Sequence, residues 1–592
     1  MKKFNKLRYI AFLIKPYFKY GKVYLVGYLI SQVLLNPFSS TLTALLPKAA
    51  IDSVMNGSPA ARTIATIGVY TALIVAVGLA STVTSYILQG ISSIKINYAI
   101  KHDINEKAIG TDFKYYDDPE FFAHFSYAQQ NFASYSTQAV QMFGQLIGSV
   151  SSIIAMGAIV ASAELTLILV SAAFVILNLL LDLPVTKASA DFSVKLNDQI
   201  RFINYVERSL QQKENSAELR SSGAGAKMLR AYRATTGKLV TGYSRYYKTI
   251  IKFAFPQAIT SPLQSSIILA YIVLFVVQGD SSKIGLYASL TAATSILTNN
   301  MSNIFGIVTY SFRNILQGER IAKFFEAKSV IEPPNPNAVP APDGVYSVEL
   351  CDVAFGYEDS AFGIKGLNLA VKPGQRVAIV GENGAGKSTL TKLLLRLYDV
   401  SGGQILINGR DIRDYDVHAL RRHIGIAYQD VRILAMSLRD NLTVYNDATD
   451  EELLRVIDRL GLQSVLEKAG GNLDVQISRE FTEDGVVLSG GEAQRVALAR
   501  LFTGSFGVLL LDEPSSALDP LAEYNLMQVI LDKSNTATTI MIAHRLSTVR
   551  NFDIIYHVEN GEIIESGTHD ELMEARGKYY DMFTRQGENY NN

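Results

Sequence analysis

Residues 381–388 read GENGAGKS, that is Gly381, Glu382, Asn383, Gly384, Ala385, Gly386, Lys387 and Ser388. The run RVAIV, Arg376 to Val380, precedes them with a buried-strand pattern, and STLTKLLLRLY, Ser388 to Tyr398, follows with a helical one. A G-x-x-x-x-G-K-S segment at a strand-to-helix turn is built for phosphate. Its glycines let backbone N–H groups close round a β-phosphate. Lys387 supplies a cation for the β- and γ-phosphates, Ser388 offers a hydroxyl to Mg²⁺, and Thr389 follows at the helix start. A second run, VLLLDEP, carries four apolar residues straight into Asp512 and Glu513. Such a strand is buried and ends at a site. Asp512 suits the Mg²⁺ shell, and Glu513 suits the polarising of an attacking water.

A third loop raises a question. VVLSGGEAQR, residues 486 to 495, sets Ser489, Gly490 and Gly491 at the start of a helix, where backbone N–H groups welcome an anion. Glu492 then brings a negative charge into that first turn. Ser489-x-x-Glu492 also fits a capping box, in which the carboxylate turns back to the N-cap backbone. The two readings of Glu492 are capping chemistry first and a sign of functional asymmetry second.

These loops must be held by more than one domain, because 592 residues exceed one ordinary core. Acidic and basic residues balance at 55 each, which argues against a nucleic-acid partner. The mean hydropathy of +0.16 is high for a soluble chain, and the apolar residues concentrate in the first half. Cys351 is the only cysteine, so an intrachain disulfide or a cysteine metal cluster is excluded.

Six membrane spans are predicted on length and apolarity: about Val23 to Leu46, Ile64 to Ile91, Val140 to Ala163, Leu165 to Leu183, Pro256 to Val277 and Ile284 to Tyr310. The sixth is the most polar. Long helical loops, roughly Ile94 to Thr137 and Val185 to Ile251, follow spans two and four. The second of these is rich in Lys and Arg, and so is the N-terminus. The positive-inside rule then places both long loops and both chain ends in the cytosol. Residues 1–22 interleave basic and aromatic side chains and suit an interfacial helix on the bilayer. The basic start is expected to be kept rather than cleaved as a leader. The expected domains are that helix, a six-span unit over 23–331, a Pro-rich spacer over 332–343 and a nucleotide-binding domain over 344–592. The polar residues of spans two and six, Ser81, Thr82, Thr84, Ser85, Thr298, Asn299, Asn300, Ser302 and Asn303, read as helix-to-helix glue ahead of a cargo site.

Taken in order, the second half resembles the nucleotide-binding domain of ATP-binding cassette (ABC) transporters. The matching segments are Tyr357 in VAFGYEDS, GENGAGKS, Gln429 in IAYQD, LSGGE at Leu488 to Glu492, Asp512 and Glu513, SALD at Ser516 to Asp519, and His544 in MIAHRLST. The resemblance implies adenine stacking on Tyr357 and a Gln429 that touches both metal and water. It implies catalysis by Glu513 and a γ-phosphate contact from His544. Asp519 would lie on a loop crossing a dimer interface. The family's signature loop usually ends in glutamine, where this chain has Glu492. YYDDPEFF, Tyr115 to Phe122, and Asn215 to Tyr232 resemble the regions of the two coupling helices.

The implied fold is an α-helical six-span transmembrane domain followed by an α/β P-loop nucleotide-binding domain with a helical subdomain. The implied function is that of a half-size exporter in the cell membrane. It uses ATP and Mg²⁺ and pairs with a second half-transporter chain to move an amphipathic or uncharged drug, lipid or peptide. A regulatory half of a heterodimer and an importer on the same fold are the alternatives.

Overall fold

The computed structural model describes residues 7–84, 86, 89–161, 165–278, 284–333, 337–357, 363–515 and 520–591. Ser85, Glu164 and the SALD segment, Ser516 to Asp519, lie outside the described residues. The chain forms two compact units, Met1–Ile109 with Glu120–Ala327, and Gly110–Pro119 with Lys328–Asn592.

The first unit is helical. In chain order it contains α1 Leu7–Tyr20, α2 Lys22–Ile30, α3 Asn36–Met55, α4 Ala60–Val83, α5 Gln89–Ile109, α6 Pro119–Ala161, α7 Leu165–Gln211, α8 Lys213–Ser221, α9 Ala224–Gln278 and α10 Ile284–Glu326. The longest, α9, has 55 residues. At a rise of about 1.5 Å per residue such a helix reaches about 80 Å, far more than the roughly 30 Å of a bilayer core. Both long polar loops are therefore helical, as their sequence predicts. Among the described residues, four stretches are long and apolar enough to cross a membrane: Lys22–Met55, Ala60–Val83, Pro119–Ala161 and Ile168–Val185. The fifth and sixth expected spans fall in α9 and α10, which are helical but do not meet that criterion over the described residues.

A π-turn, Ser31–Leu35, joins α2 to α3, and the Asn36 N–H reaches back five residues to the Ser31 carbonyl. Pro37 follows. It has no N–H for the Val33 carbonyl and its ring crowds that turn, a common cause of a widened helix.

The second unit is α/β. Its strands are β1 Val348–Gly356, β2 Gly363–Val371, β3 Arg376–Val380, β4 Gly402–Ile407, β5 Arg410–Asp411, β6 Ile424–Ala427, β7 Val508–Asp512, β8 Thr538–Ile542, β9 Ile554–Glu559 and β10 Glu562–Gly567. An antiparallel sheet runs β2-β1-β4-β5, and a six-stranded sheet runs β10-β9-β3-β8-β7-β6. In the larger sheet, β9 through β6 are parallel and only β10 is antiparallel. Every residue of β7 and β8 is buried. On β3 the faces alternate, with Val377 and Ile379 in the core against the small sheet and Ala378 and Val380 in the core under the helical part. Helices α11 Lys387–Leu394 and α12 Val417–Arg422 pack in the core with the small sheet, and the helical part is built from α13 Leu438–Leu442, α14 Asp450–Arg459, α15 Gln463–Lys468, α16 Gly490–Ala499, α17 Pro520–Ser534, α18 His569–Ala575 and α19 Lys578–Asn591.

The YYDDPEFF region belongs partly to this α/β unit, and Asp112 just before it anchors the segment. Its carboxylate, 1% exposed, accepts the backbone N–H groups of Val330, Ile331 and Glu332 at 2.8, 3.0 and 3.0 Å. A single side chain therefore ties 110–119 to the segment entering the Pro-rich spacer. Asp112→Ala would strand the buried donors of Ile331 and Glu332, each worth about 1–3 kcal/mol when unpaired, and free that of the exposed Val330 to water. We expect the variant to lose at least several degrees in thermal melts and to be cut faster by protease between 328 and 340. An unchanged melt would mean that the segment is held by other contacts.

Candidate functional site

The strand ends of the large sheet collect the predicted residues. β3 stops at Val380, and Gly381 turns away with φ +150°, where a Cβ would lie 2.1 Å from the Val558 carbonyl oxygen. Gly386 is the N-cap of α11 at φ +107°, a conformation that favours glycine. Glu382, Asn383, Gly384 and Ala385 fill the loop between them, and Thr389 is buried in the first turn of α11. Lys387 is 6% exposed, and its ammonium donates to the carbonyls of Gly381 at 2.7 Å and Glu382 at 2.9 Å. Burial pushes its pKa down, opposed by the charges of Glu513 and Asp512.

Asp512 ends β7 and is also 6% exposed. Its Oδ1 has no hydrogen-bond partner among the described residues. Burial and the neighbouring Glu513 push its pKa up to about 6, against the opposing pull of the Ser388 hydroxyl and Lys387. An orphaned buried carboxylate oxygen beside a hydroxyl is a donor set suited to a hard divalent cation.

Glu513 holds the left-handed region at φ +48°, and its N–H is fixed to the Ile542 carbonyl at 3.1 Å. A non-glycine residue there carries about 1–3 kcal/mol of strain, a cost that clusters at functional sites. Gln429 follows β6, and its Nε2 donates to Glu513 Oε2 at 3.1 Å. His544 follows β8, with Nε2 2.6 Å from Glu513 Oε1. One carboxylate is thus held at both oxygens by residues from two other strand ends. Sequence reading missed Gln586 of α19, which accepts the Leu546 N–H at 2.9 Å and donates to the His544 carbonyl at 2.7 Å. It clamps the backbone on either side of Arg545.

Tyr357 packs edge-on to Phe355 and Tyr398, with ring centroids 5.0 and 5.6 Å away. The Lys392 ammonium lies within 5.8 Å of the rings of Tyr357, Tyr398 and Phe113. This basic residue on α11 was another that sequence reading overlooked.

The signature-like loop answers its own question. Ser489 caps α16, and Glu492 returns to it, accepting from the Ser489 N–H at 2.9 Å and the Ser489 hydroxyl at 3.0 Å. Glu492 is 6% exposed, whereas Ser489 and Gly490 are exposed and Gly491 is half-buried. Its other partners come from α15: the Lys468 ammonium at 2.6 and 2.9 Å and the Ser464 hydroxyl at 3.1 Å. Burial raises the Glu492 pKa, but Lys468, Ser489 and Ser464 outweigh it and bring the carboxyl down to about 2. The charge is turned inward and neutralised. Asp519 lies outside the described residues.

Residues 364–516 match the family model for ABC transporters. Relatives agree. The putative multidrug export ATP-binding/permease protein YgaD of Bacillus subtilis is 34% identical over 339 residues, 57% of this chain and 57% of its own length. Residues 364–516 thus carry the ABC family's segment, and the chain is similar to ABC transporters. The β-(1→2)glucan export ATP-binding/permease protein NdvA of Rhizobium johnstonii is 38% identical over 242 residues, 41% of this chain and 40% of the relative. The ATP-dependent lipid A-core flippase of Saccharophagus degradans is 32% identical over 381 residues, 61% and 62% of the two chains. The matches thus span roughly half of each relative's length. A solved bacterial Atm1-family ABC exporter with ATP bound superposes with a TM-score of 0.79 at 23% identity, over 95% of this chain and 98% of that one. The chain is a multi-pass membrane protein with the exporter fold, and its second unit carries the matched ATP-binding segment.

Glu492→Gln would keep the cap and remove the charge. A carboxylate whose pKa falls from 4.5 to about 2 on folding adds stability that is full above pH 4.5 and lost as pH falls through about 2. Thermal melts between pH 5 and 2.5 should therefore show the variant losing less stability on acidification than the wild type. Parallel slopes would place the Glu492 charge outside the native network.

Proposed function

We propose that the chain is one half of an ATP-driven exporter, working as a dimer with a second half-transporter chain and two ATP sites at the interface. The Glu513 carboxylate, fixed between Gln429 and His544, is the observation that carries this reading. Held in that way, it can orient a water and accept its proton without reorganising. Gly381 to Gly386 turn backbone N–H groups toward the phosphates, and Lys387 offsets their charge. Tyr357 supplies an aromatic face for adenine. His544, steadied by Gln586, contacts the γ-phosphate and transmits its loss to the loop after β8. Ser388, Asp512 and the carboxamide oxygen of Gln429 would hold Mg²⁺, which when bound neutralises charge on the β- and γ-phosphate oxygens. The orphaned Asp512 Oδ1 supports that assignment.

The backbone N–H groups of Gly490 and Gly491, beside the exposed Ser489 cap, would serve an ATP held on the partner, and Asp519 would belong to the interface loop. One P-loop and one signature loop per chain then make two composite sites per dimer. The domain boundaries follow from the same reading: 1–22 on the membrane surface, 23–331 crossing it, 332–343 as spacer and 344–592 as the cytosolic motor. Both termini are cytosolic. ATP closes the two motors, and hydrolysis reopens them, moving an uncharged or amphipathic cargo outward by alternating access.

Glu513→Gln tests the assignment. Steady-state ATPase activity should fall by about 10²- to 10⁴-fold, the usual worth of a general base, while ATP affinity measured by equilibrium dialysis stays within a few-fold. Hydrolysis at the wild-type rate would remove Glu513 from the role.

A further inference from the structure

The helical unit contains a cavity of about 820 Å³, lined mainly by polar side chains from α3, α6, α7, α10 and the π-turn before α3. Three pairs of amides dominate it: Gln32 with Asn36, Gln141 with Gln145, and Asn300 with Asn303. Each pair is three or four residues apart on one helix face, so its members stand about 4.5–6 Å apart along the axis. The π-turn at Ser31–Leu35 gives Gln32 and Asn36 their place on this wall.

Polar side chains elsewhere in the bundle bond to one another, as glue does. Ser31 meets Ser81 at 2.8 Å, and the Thr260 hydroxyl donates to Asn178 at 2.7 Å. Ser81 also donates to Asn36 at 3.0 Å, and Thr298 and Asn300 donate to carbonyls one turn back in their own helix at 3.0 and 2.9 Å. Four of the cavity amides differ. Gln32, Gln141, Gln145 and Asn303 have no side-chain hydrogen bond to the protein among the described residues. Amides in a membrane domain face water or a ligand when they do not face each other.

We propose that this cavity takes a peptide and reads it through its backbone. The inference rests on the export reading above and narrows its cargo. A carboxamide offers one acceptor and two donors, the complement of a peptide group's N–H and C=O. An amide step of about 6 Å is close to the two-residue repeat of an extended chain, about 6.6 Å. Among the described residues no aromatic ring lines the cavity, which leaves a sugar ring or a planar drug without a stacking face. The larger apolar side chains are Met142 and Ile307, too few for an acyl chain. Asp182 is the one charged residue in the lining among the described residues and is already engaged within the protein, so the site suits uncharged peptides.

The test uses the full chain in lipid nanodiscs without nucleotide. The probe is a radiolabelled pool of uncharged hexapeptides with acetylated N-termini and amidated C-termini. Equilibrium dialysis should show saturable binding. Binding should weaken at least tenfold when the same peptides are N-methylated along the backbone, and at least tenfold in Gln141→Ala/Gln145→Ala. Competition by maltohexaose or by dodecyl phosphocholine that matches the peptides would overturn the proposal, as would unchanged binding by the double variant. Loss of the dimer or of the thermal melt in that variant would return these amides to a packing role and equally overturn it. A benzophenone-bearing peptide of the pool should label α6 or α10 of the wild-type chain, and labelling elsewhere would count against the site. ATPase activity is read separately, so a chain that binds peptide but does not hydrolyse ATP sinks the exporter reading and leaves this one standing.

Discussion

Ile542 of β8 pairs on one side with Ile379 of β3 and on the other with Asp512 of β7. That parallel register brings three strands to an end at one level, and the chemistry of the second unit depends on it. The loop after β3 is the proposed phosphate loop, the residue after β7's last is Glu513, and the second residue after β8 is His544. A slip of one residue in β7 would rotate Asp512 to the opposite face and swap the two cores that flank the sheet. The buried run of Val, Leu, Ile and Thr along β7 and β8 therefore sets the site's geometry as well as its stability. The Glu513 N–H bonded to the Ile542 carbonyl carries the register one residue beyond the strand, into a strained turn.

Around that register the unit buries charges in matched sets. Lys387 and Asp512 are each almost fully enclosed, and the field of each partly offsets the desolvation of the other. At the signature loop only Glu492 is enclosed, and the exposed Lys468 ammonium covers it. There the consequence is different. A carboxylate in the first turn of a helix that should receive phosphate would repel it if free. Locked into the cap and covered by Lys468, it leaves the N–H groups of an exposed first turn available. Glutamate with a lysine partner can thus perform the structural task of the family's usual glutamine.

Much of the motor was legible in sequence because its motifs are local. GENGAGKS and VLLLDEP state strand, loop and helix within a short span, and phosphate chemistry follows from residue type. The convergence of Gln429 and His544 on the two oxygens of one carboxylate was not legible, since it arises from strand order. Lys468 and Gln586 were missed for the same reason. Each lies on a short or terminal helix whose periodicity says nothing of its distant partner. Asp112 was hidden by chemistry: an aspartate in a polar loop looks solvated until three backbone donors are found pointing at it.

The membrane unit shows the limit of hydropathy. Its apolar spans announce themselves, but the sixth, in α10, is more polar than the others, and polar residues are scattered through the bundle. Those residues serve two ends that composition cannot separate. Ser81 and Thr298 satisfy themselves within the bundle, while Gln32, Gln141, Gln145 and Asn303 line a cavity. Helical phase would sort the two sets if the helices were regular. Between α2 and α3 they are not: Pro37 enforces a wider turn, and every side chain before it is rotated relative to those after it. Asn36, which belongs to both sets through its bond from Ser81, sits at that junction. Asn36 is glue on one side and wall on the other where Pro37 changes the pitch of the helix, while Asn300 combines the two on α10 by donating to the Ile296 carbonyl.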